Sequence, residues 1–190
     1  MSIATIWGST DEERARAYPC DALLPDAQGQ WYRAVSVAAP PSVVFRWLCQ
    51  LRVAPYSYDW IDNLGRRSPQ ELTPGLEELA TGQRIMSIFE LASFERDRHM
   101  TITLRQRGLS RWTFGRIAMT YAVFSDGGGS SRLIGKLALR YPPAPIGWLT
   151  RALLPWGDWI MMRRQMLNLK RLAERQQAAE KPLDRPLVGR

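Results

Sequence analysis

The sequence of 190 residues is poor in the side chains from which many active sites are built. It contains one histidine, His99, and two cysteines, Cys20 and Cys49, which do not have the spacing of metal ligands. A structural zinc site needs about four Cys or His ligands in a compact pattern. We therefore predict no metal site and no cofactor. His99 shares the parity of Thr101 and Thr103, so we expect its side chain to point away from the apolar face of its strand.

Long apolar runs and a basic tract are also missing. The best candidate for a membrane span, residues 146–162, is interrupted by Arg151, Pro155 and Asp158, and the first residues lack the pattern of a secretory signal. We therefore expect a cytoplasmic protein. The net charge is +8, but the basic residues are dispersed along the chain, which is typical of a solvated surface. We expect no nucleic-acid partner, whereas a weak association with an anionic membrane surface stays open, as does the choice between a monomer and a homodimer.

Short segments rich in β-branched and aromatic residues, separated by polar turns, predict an antiparallel sheet. Alternation places Met100, Ile102 and Leu104 on one side of their strand, and a polar set on the other. This pattern predicts a sheet with one solvent-exposed face. The predicted strands are residues 30–38, 84–94, 98–106, 112–125 and 132–141, with a turn over 126–131.

Helices are predicted before and after the strands of this sheet. Pro40 and Pro41 end the first strand and suit the first turn of a helix that continues over 42–51. A second short helical segment is predicted within 56–64. After prolines at 142, 143 and 145, we predict a helix over 146–154, a break at 155–157 and a long helix over 158–179. Residues 1–29 are expected to be an extended lead-in and 180–190 a flexible tail, which leaves one α+β domain over 30–179.

Two motifs carry a resemblance to a known superfamily. The segments VAAPPSVVFRWLCQL (37–51) and YSYDWIDNLGR (56–66) resemble the bacterial polyketide cyclase/dehydrase-like subgroup of the SRPBCC, or START-like, superfamily. This resemblance implies a helix-grip fold: a curved antiparallel sheet wrapped around a long C-terminal helix, with two short helices after the first strand. It also implies an internal pocket for a small hydrophobic molecule, which is lipid-like, polyketide-like or aromatic. The superfamily hosts carriers as well as enzymes, so it implies no catalytic residue.

The pocket predicted from these elements has apolar walls and an aromatic mouth. Methionine is frequent on the elements expected to face inward, and its flexible thioether adapts to varied ligand shapes. Periodicity alone does not separate a filled core from a lined cavity, so both stay open. The predicted ligand-binding residues are Tyr56, Tyr58, Trp60, Met100, Ile102, Leu104, Met119, Tyr121, Leu137, Leu139, Trp159, Met162 and Met166.

Two functions are compatible with the sequence. The first is non-catalytic binding or transport of the hydrophobic ligand. The second is a cyclase or dehydratase reaction in which Tyr58 or Asp59 moves a proton. The alternative interpretation of Asp59 is the cap of a short helix. The segment from Trp148 to Trp156 is interpreted as a lid over the pocket, with contact to a membrane surface as the alternative.

Overall fold

The structure is a computed structural model that describes residues 2–105 and 114–180. Its seven strands form one sheet in the order β1-β2-β7-β6-β5-β4-β3, in which only β1 and β2 are parallel. The elements are β1 (Ile6–Trp7), α1 (Asp11–Ala15), α2 (Pro19–Leu23), β2 (Gly29–Val37), α3 (Pro41–Cys49), α4 (Asp59–Asp62), β3 (Arg84–Ile85), β4 (Phe89–Glu95), β5 (His99–Leu104), β6 (Arg116–Gly127), β7 (Ser130–Arg140) and α5 (Ile146–Glu180). The α+β fold class and the two short helices after the first long strand are confirmed.

Helix α3 begins where the two prolines predict it. Pro41 occupies the first helical position, where its missing N–H is not needed, and the carbonyl of Pro40 accepts hydrogen bonds from the amides of Val43 and Val44. The indole N–H of Trp47 donates to Gln176 at 2.8 Å, which connects α3 to α5. Helix α3 thereby packs against both the sheet and α5 in the main core.

The outer face of the sheet differs from the prediction, because it is not left to solvent. The N-terminal segment is not an extended lead-in: it forms β1, α1 and α2 and covers this face. Lys136, expected on the exposed side, is 3% exposed; its Nζ lies 2.6 Å from Asp21 and above the rings of Tyr18 and Tyr32. The missed signal is the small apolar side chains that leave room for a second layer on the outer face: Ala34, Ala118, Ala122 and Ala138.

The single strand predicted over 84–94 is wrong, because the structure has two strands there, β3 and β4. Met86 and Ser87 adopt positive φ angles of 45° and 64°, so the chain reverses there and separates β3 from β4, which pair antiparallel. The reversal contains no glycine or proline, and turn signals read from sequence depend on those residues. The predicted turn over 126–131 is confirmed by the β6–β7 hairpin. Residues 106 and 112–113 of the predicted strands, and 181–190 of the predicted tail, lie outside the described residues.

Helix α5 is continuous, so the predicted break at 155–157 is wrong. Pro155 lies inside the helix. A proline removes one backbone hydrogen bond and bends a helix, but it does not always end the helix. From Met162 onward one stripe of α5 is buried against the sheet, with Met166, Leu169 and Leu172 in the core. Within the described residues, no helix combines the length and the apolar character that crossing a bilayer requires.

Thr120 is predicted to hold the N-terminal segment on the sheet. Its Oγ1 accepts the backbone N–H of Cys20 at 3.0 Å and lies 2.9 Å from Thr101 Oγ1, and all three residues are fully buried. Replacing Thr120→Val keeps the shape but leaves the Cys20 amide without an acceptor, so we expect the free energy of unfolding to fall by about 1–3 kcal/mol. Urea denaturation measures the loss, and faster hydrogen exchange at the Cys20 amide locates it. The partly exposed Thr103→Val serves as the control, with an expected change below about 0.5 kcal/mol.

Candidate functional site

A pocket of about 340 Å³ lies between the sheet and the middle of α5. Its floor is formed by β6 and β7, one wall by α5, and the opposite wall by the segment after α3 and the β3–β4 turn. The side chains around it are mostly apolar, and the mouth is open on one side. The lining residues are Pro55, Ser57, Asp62, Met86, Ile88, Phe89, Leu104, Phe114, Ile117, Met119, Tyr121, Leu137, Leu154, Gly157, Asp158, Met161, Met162 and Gln165.

A buried ion pair stands at the inner side of this pocket. Arg33 on β2 is fully buried, and its Nη2 lies 2.9 Å from Oδ2 of Asp158, a pocket-lining residue of α5. The same guanidinium donates to the carbonyls of Ala4 at 2.6 Å and Tyr32 at 3.0 Å. Because Asp158 is taken out of water, its pKa is raised to about 6, although the attraction of Arg33 acts in the opposite direction. The carboxyl group of Asp158 therefore changes its charge close to neutral pH.

Tyr121 and Gln165 form a second polar group in the pocket. The Tyr121 hydroxyl donates to Oε1 of Gln165 at 2.5 Å, and Nε2 of Gln165 donates to the carbonyl of Pro55 at 2.7 Å. Burial raises the pKa of Tyr121 far above its ordinary value, so the phenol stays neutral. These bonds place Gln165 between the sheet and the segment after α3, and they fix the orientation of the Tyr121 ring.

A second carboxyl group, Asp62 at the end of α4, lines the outer part of the pocket. It accepts a hydrogen bond from the Ser57 hydroxyl. Burial raises the pKa of Asp62, and the hydrogen bond from Ser57 opposes this. The other oxygen, Oδ1, is buried and has no hydrogen-bond partner among the described residues. The pocket therefore presents hydrogen-bond acceptors at two separate places, Asp62 and Asp158.

The structure brings five of the thirteen predicted ligand-binding residues to the pocket: Leu104, Met119, Tyr121, Leu137 and Met162. Met100, Ile102, Leu139 and Met166 point inward as predicted, but they are fully buried in the core and do not line the pocket. The reason is that strand and helix periodicity predicts which face a residue is on, and not how far along the element the empty space lies.

The aromatic residues predicted at the mouth lie elsewhere. Tyr56 is buried and packs edge-to-face on Trp47 with ring centroids 6.1 Å apart. Trp60 is 76% exposed, and Tyr58 precedes α4 with the Arg164 guanidinium over its ring. Trp159, predicted on the helical wall of the pocket, packs on Trp156 with ring centroids 6.1 Å apart. None of the four lines the pocket.

The two proposed acid–base residues also stand outside the pocket. Asp59 accepts hydrogen bonds from the amide and the hydroxyl of Ser68 at 2.8 and 2.5 Å. Its carboxylate therefore braces the loop that follows α4, nine residues along the chain. Neither Tyr58 nor Asp59 therefore borders a molecule bound in this pocket. His99, which is partly exposed, lies beside Glu95 on the outer face, as its parity predicts.

Arg33, Asp158 and Gln165 are the site residues that the sequence analysis missed. Arg33 has the same parity as the inward-facing Trp31 and Val35, so a charged residue stands on the apolar face of its strand. Asp158 lies four residues before Met162, on the same face of the helix. Two opposite charges, one on the apolar face of a strand and one on the apolar face of a helix, indicate a buried ion pair.

Metal ligands do not gather anywhere in the described part of the chain, where no group of three His, Cys, Asp or Glu side chains could hold an ion. Cys20 and Cys49 are both buried free thiols. Burial raises the pKa of each, that of Cys49 to about 12, so neither has thiolate character near neutral pH.

No protein-family model matches the sequence, and comparison with curated protein sequences also finds no match. Solved structures do match in architecture. The Zhui aromatase/cyclase from Streptomyces sp. R1128 superimposes with a TM-score of 0.53 at 13% identity, over 80% of this chain and 97% of that chain. The chain has a helix-grip fold. A hypothetical protein from Helicobacter pylori, with a TM-score of 0.50 and 11% identity over 84% and 96% of the two chains, has a similar fold.

A norcoclaurine synthase from Thalictrum flavum also matches, with a TM-score of 0.46 and 12% identity over 75% of this chain and 91% of that chain. The predicted helix-grip fold is confirmed by the two matches with TM-scores of 0.50 and above. The same fold hosts unrelated activities, so the fold alone does not define the function.

The Asp158–Arg33 pair is predicted to be essential for stability. In Arg33→Met the Asp158 carboxyl group loses its counter-ion and the carbonyl of Ala4 loses its donor, so we expect the free energy of unfolding at neutral pH to fall by about 3 kcal/mol. The matched control is Glu95→Gln, which removes an exposed pair with Arg98 (2.7 Å) and should change stability by less than about 0.5 kcal/mol. Urea denaturation compares both variants with the unsubstituted protein. Equal stability of Arg33→Met and the unsubstituted protein would contradict a stabilising role of the pair.

Proposed function

We propose that the protein binds or carries a small, largely apolar molecule in the pocket between the sheet and α5. The observation that carries this proposal is the pocket itself, because its volume of about 340 Å³ lies in the range of small-molecule sites. Four methionines, Met86, Met119, Met161 and Met162, stand around it. Flexible thioethers fit ligands of different shapes, which supports a site for a family of related molecules.

The polar groups of the pocket support a further feature of the ligand. Asp62 and Asp158 offer acceptor oxygens, and Gln165 and Tyr121 already use their donors within the protein. A ligand that carries a hydroxyl or amine donor would satisfy the unpartnered Oδ1 of Asp62, and leaving that atom desolvated and unpaired is unfavourable. The proposal is therefore an apolar body with one donor group, held by a protein that we expect to act in the cytoplasm.

Gly157 provides a way to close the pocket without removing a side chain. It lies on α5 at the pocket lining, and nothing lies within 4 Å of the position that its Cβ would take. A phenylalanine at this position has room to enter the pocket, and replacing a helical glycine does not disturb helix formation. Gly157→Phe should therefore fold normally and lose at least about tenfold in affinity for a neutral apolar dye such as Nile red, since about one aromatic side chain of pocket space is removed.

The control for this experiment is Gly157→Ala, which makes the same change to the helix backbone and leaves the pocket almost unfilled. It should bind the dye as the unsubstituted protein does. Fluorescence titration gives the affinities and stoichiometry, and circular dichroism checks the fold. If Gly157→Phe binds the dye unchanged, the dye site is not this pocket and the proposal loses its main support.

The alternative function is proton-transfer chemistry on a molecule bound in the same pocket. One observation favours it: Asp158 lines the pocket and has a pKa raised to about 6, which is the range in which a carboxyl group serves as acid or base near neutral pH. The Zhui neighbour is itself an aromatase/cyclase. In this alternative Asp158 replaces Tyr58 and Asp59 as the acid–base group, and Arg33 stabilises its ionised form.

The alternative predicts hydrogen–deuterium exchange at carbon. In D₂O, ionised Asp158 would remove a methyl proton from a bound aryl methyl ketone such as 2-acetylnaphthalene, and return of a deuteron would label the methyl group. We expect the exchange rate to rise through about pH 6 as Asp158 ionises, as followed by proton NMR. Gly157→Phe should abolish the exchange and Gly157→Ala should retain it. Dye binding without catalysed exchange would leave binding as the function and exclude this reaction for ketones of that class.

A further inference from the structure

The first half of α5 exposes an apolar stripe to solvent. Leu149, Leu153, Trp156 and Ile160 follow each other at spacings of four, three and four residues, which places them on one face of the helix. Their exposed fractions are 63%, 61%, 49% and 46%. Trp148 beside them is 73% exposed. Scattered exposed apolar residues are ordinary, but a contiguous helical stripe of this kind marks an interaction surface.

The charge along this part of α5 is of one sign. Over residues 142–173, the only acidic residue is Asp158, and it is turned inward to Arg33. Arg151, Arg163 and Arg164 are exposed and form no ion pair with a carboxylate of the described residues. Each guanidinium instead lies over an aromatic ring, those of Tyr141, Trp7 and Tyr58, at 4.7, 5.5 and 6.0 Å from the ring centroid. These contacts hold the three positive charges along the helix.

Helix α4 adds to the same side of the molecule. Trp60 and Ile61 are 76% and 52% exposed. The segment that contains them is attached to α5, since Arg164 stacks over Tyr58 and Asn168 donates to the carbonyl of Tyr56 at 2.8 Å. Asp62 of α4 and Gly157 of α5 both line the pocket. The exposed apolar residues of the two helices therefore flank the mouth of the pocket.

We propose that this surface, the exposed apolar face of α5 from Trp148 to Ile160 together with Trp60 and Ile61, docks on an anionic lipid bilayer. Tryptophan side chains favour the boundary between headgroups and acyl chains, and an apolar helix face beside arginines is the composition of interfacial helices. The net charge of +8 adds attraction to anionic lipid. The surface attaches peripherally, and docking does not require an occupied pocket, so this inference stands apart from the proposed ligand binding.

Vesicle co-sedimentation tests the proposal with the unsubstituted protein. We expect binding to vesicles of phosphatidylcholine mixed with phosphatidylglycerol and much weaker binding to phosphatidylcholine alone. Added salt should weaken the anionic-vesicle binding, because it screens the arginines. No sedimentation with the anionic vesicles at low salt overturns the proposal.

Two variants separate the apolar and the charged contributions. Leu149→Ser with Leu153→Ser should lower the vesicle partition coefficient at least about tenfold, since two leucine side chains no longer enter the bilayer. Arg163→Glu with Arg164→Glu should remove the preference for anionic lipid. The control is Leu23→Ser with Val53→Ser, which changes two exposed apolar residues (39% and 44%) on other elements of the fold and should leave partitioning unchanged. Equal partitioning of the two serine pairs overturns the proposal.

The same surface could instead hold a second copy of the chain, and light scattering in the absence of lipid distinguishes this. A monomer that binds anionic vesicles supports membrane docking. A dimer that Leu149→Ser with Leu153→Ser converts to monomer, without anionic-vesicle binding by the unsubstituted protein, overturns it in favour of self-association. Dye binding to the pocket is measured without lipid, so failure of the docking experiment and failure of the proposed function give different results.

Discussion

The ion pair between Arg33 and Asp158 connects the three parts of the molecule on which the site depends. Arg33 belongs to β2, Asp158 to α5, and the second acceptor of the guanidinium is the carbonyl of Ala4 in the N-terminal segment. A buried ion pair seldom stabilises a protein more than well-packed apolar residues of the same size do. What it adds is specificity: only one position of α5 against the sheet satisfies the charge on Arg33. The pocket beside the pair therefore has a defined width and a carboxyl group in a defined place.

The sheet can carry this arrangement because both of its faces are covered. On the inner face, Gly135 stands opposite Arg33 in the β2–β7 register, and a Cβ at Gly135 would lie 2.8 Å from the Met162 methyl group. The absence of a side chain there lets α5 approach while the long Arg33 side chain lies beside it. On the outer face, alanines leave space for α2, whose residue Cys20 is bound to Thr120. Small residues in the central strands thus permit close packing on both sides.

Elements with strong local signals could be predicted from the sequence, and features that depend on tertiary contacts could not. The prolines before α3, the alternation in β5 to β7 and the glycine turn before β7 each reflect short-range physics, and the structure agrees with them. The reversal at Met86 and Ser87, the continuity of α5 through Pro155 and the covering of the outer face depend on packing with distant residues. For the site, parity placed Met119, Tyr121 and Met162 correctly inward. It could not reveal that Asp59 binds Ser68 or that Asp158 meets Arg33 from 125 residues away.

The length of α5 explains why its two halves have different surroundings. Its 35 residues extend about 52 Å, whereas an 11-residue strand such as β7 extends about 37 Å. The described sheet therefore cannot cover the whole helix. Between Ile146 and Ile160 the buried residues are Gly147, Thr150 and Pro155, whereas all of the long apolar side chains buried by α5 come after that point. Solvation favours polar residues on an uncovered helix, yet this half carries tryptophans and leucines. Their presence is accounted for if the helix meets an apolar phase outside the molecule, next to the mouth of the pocket.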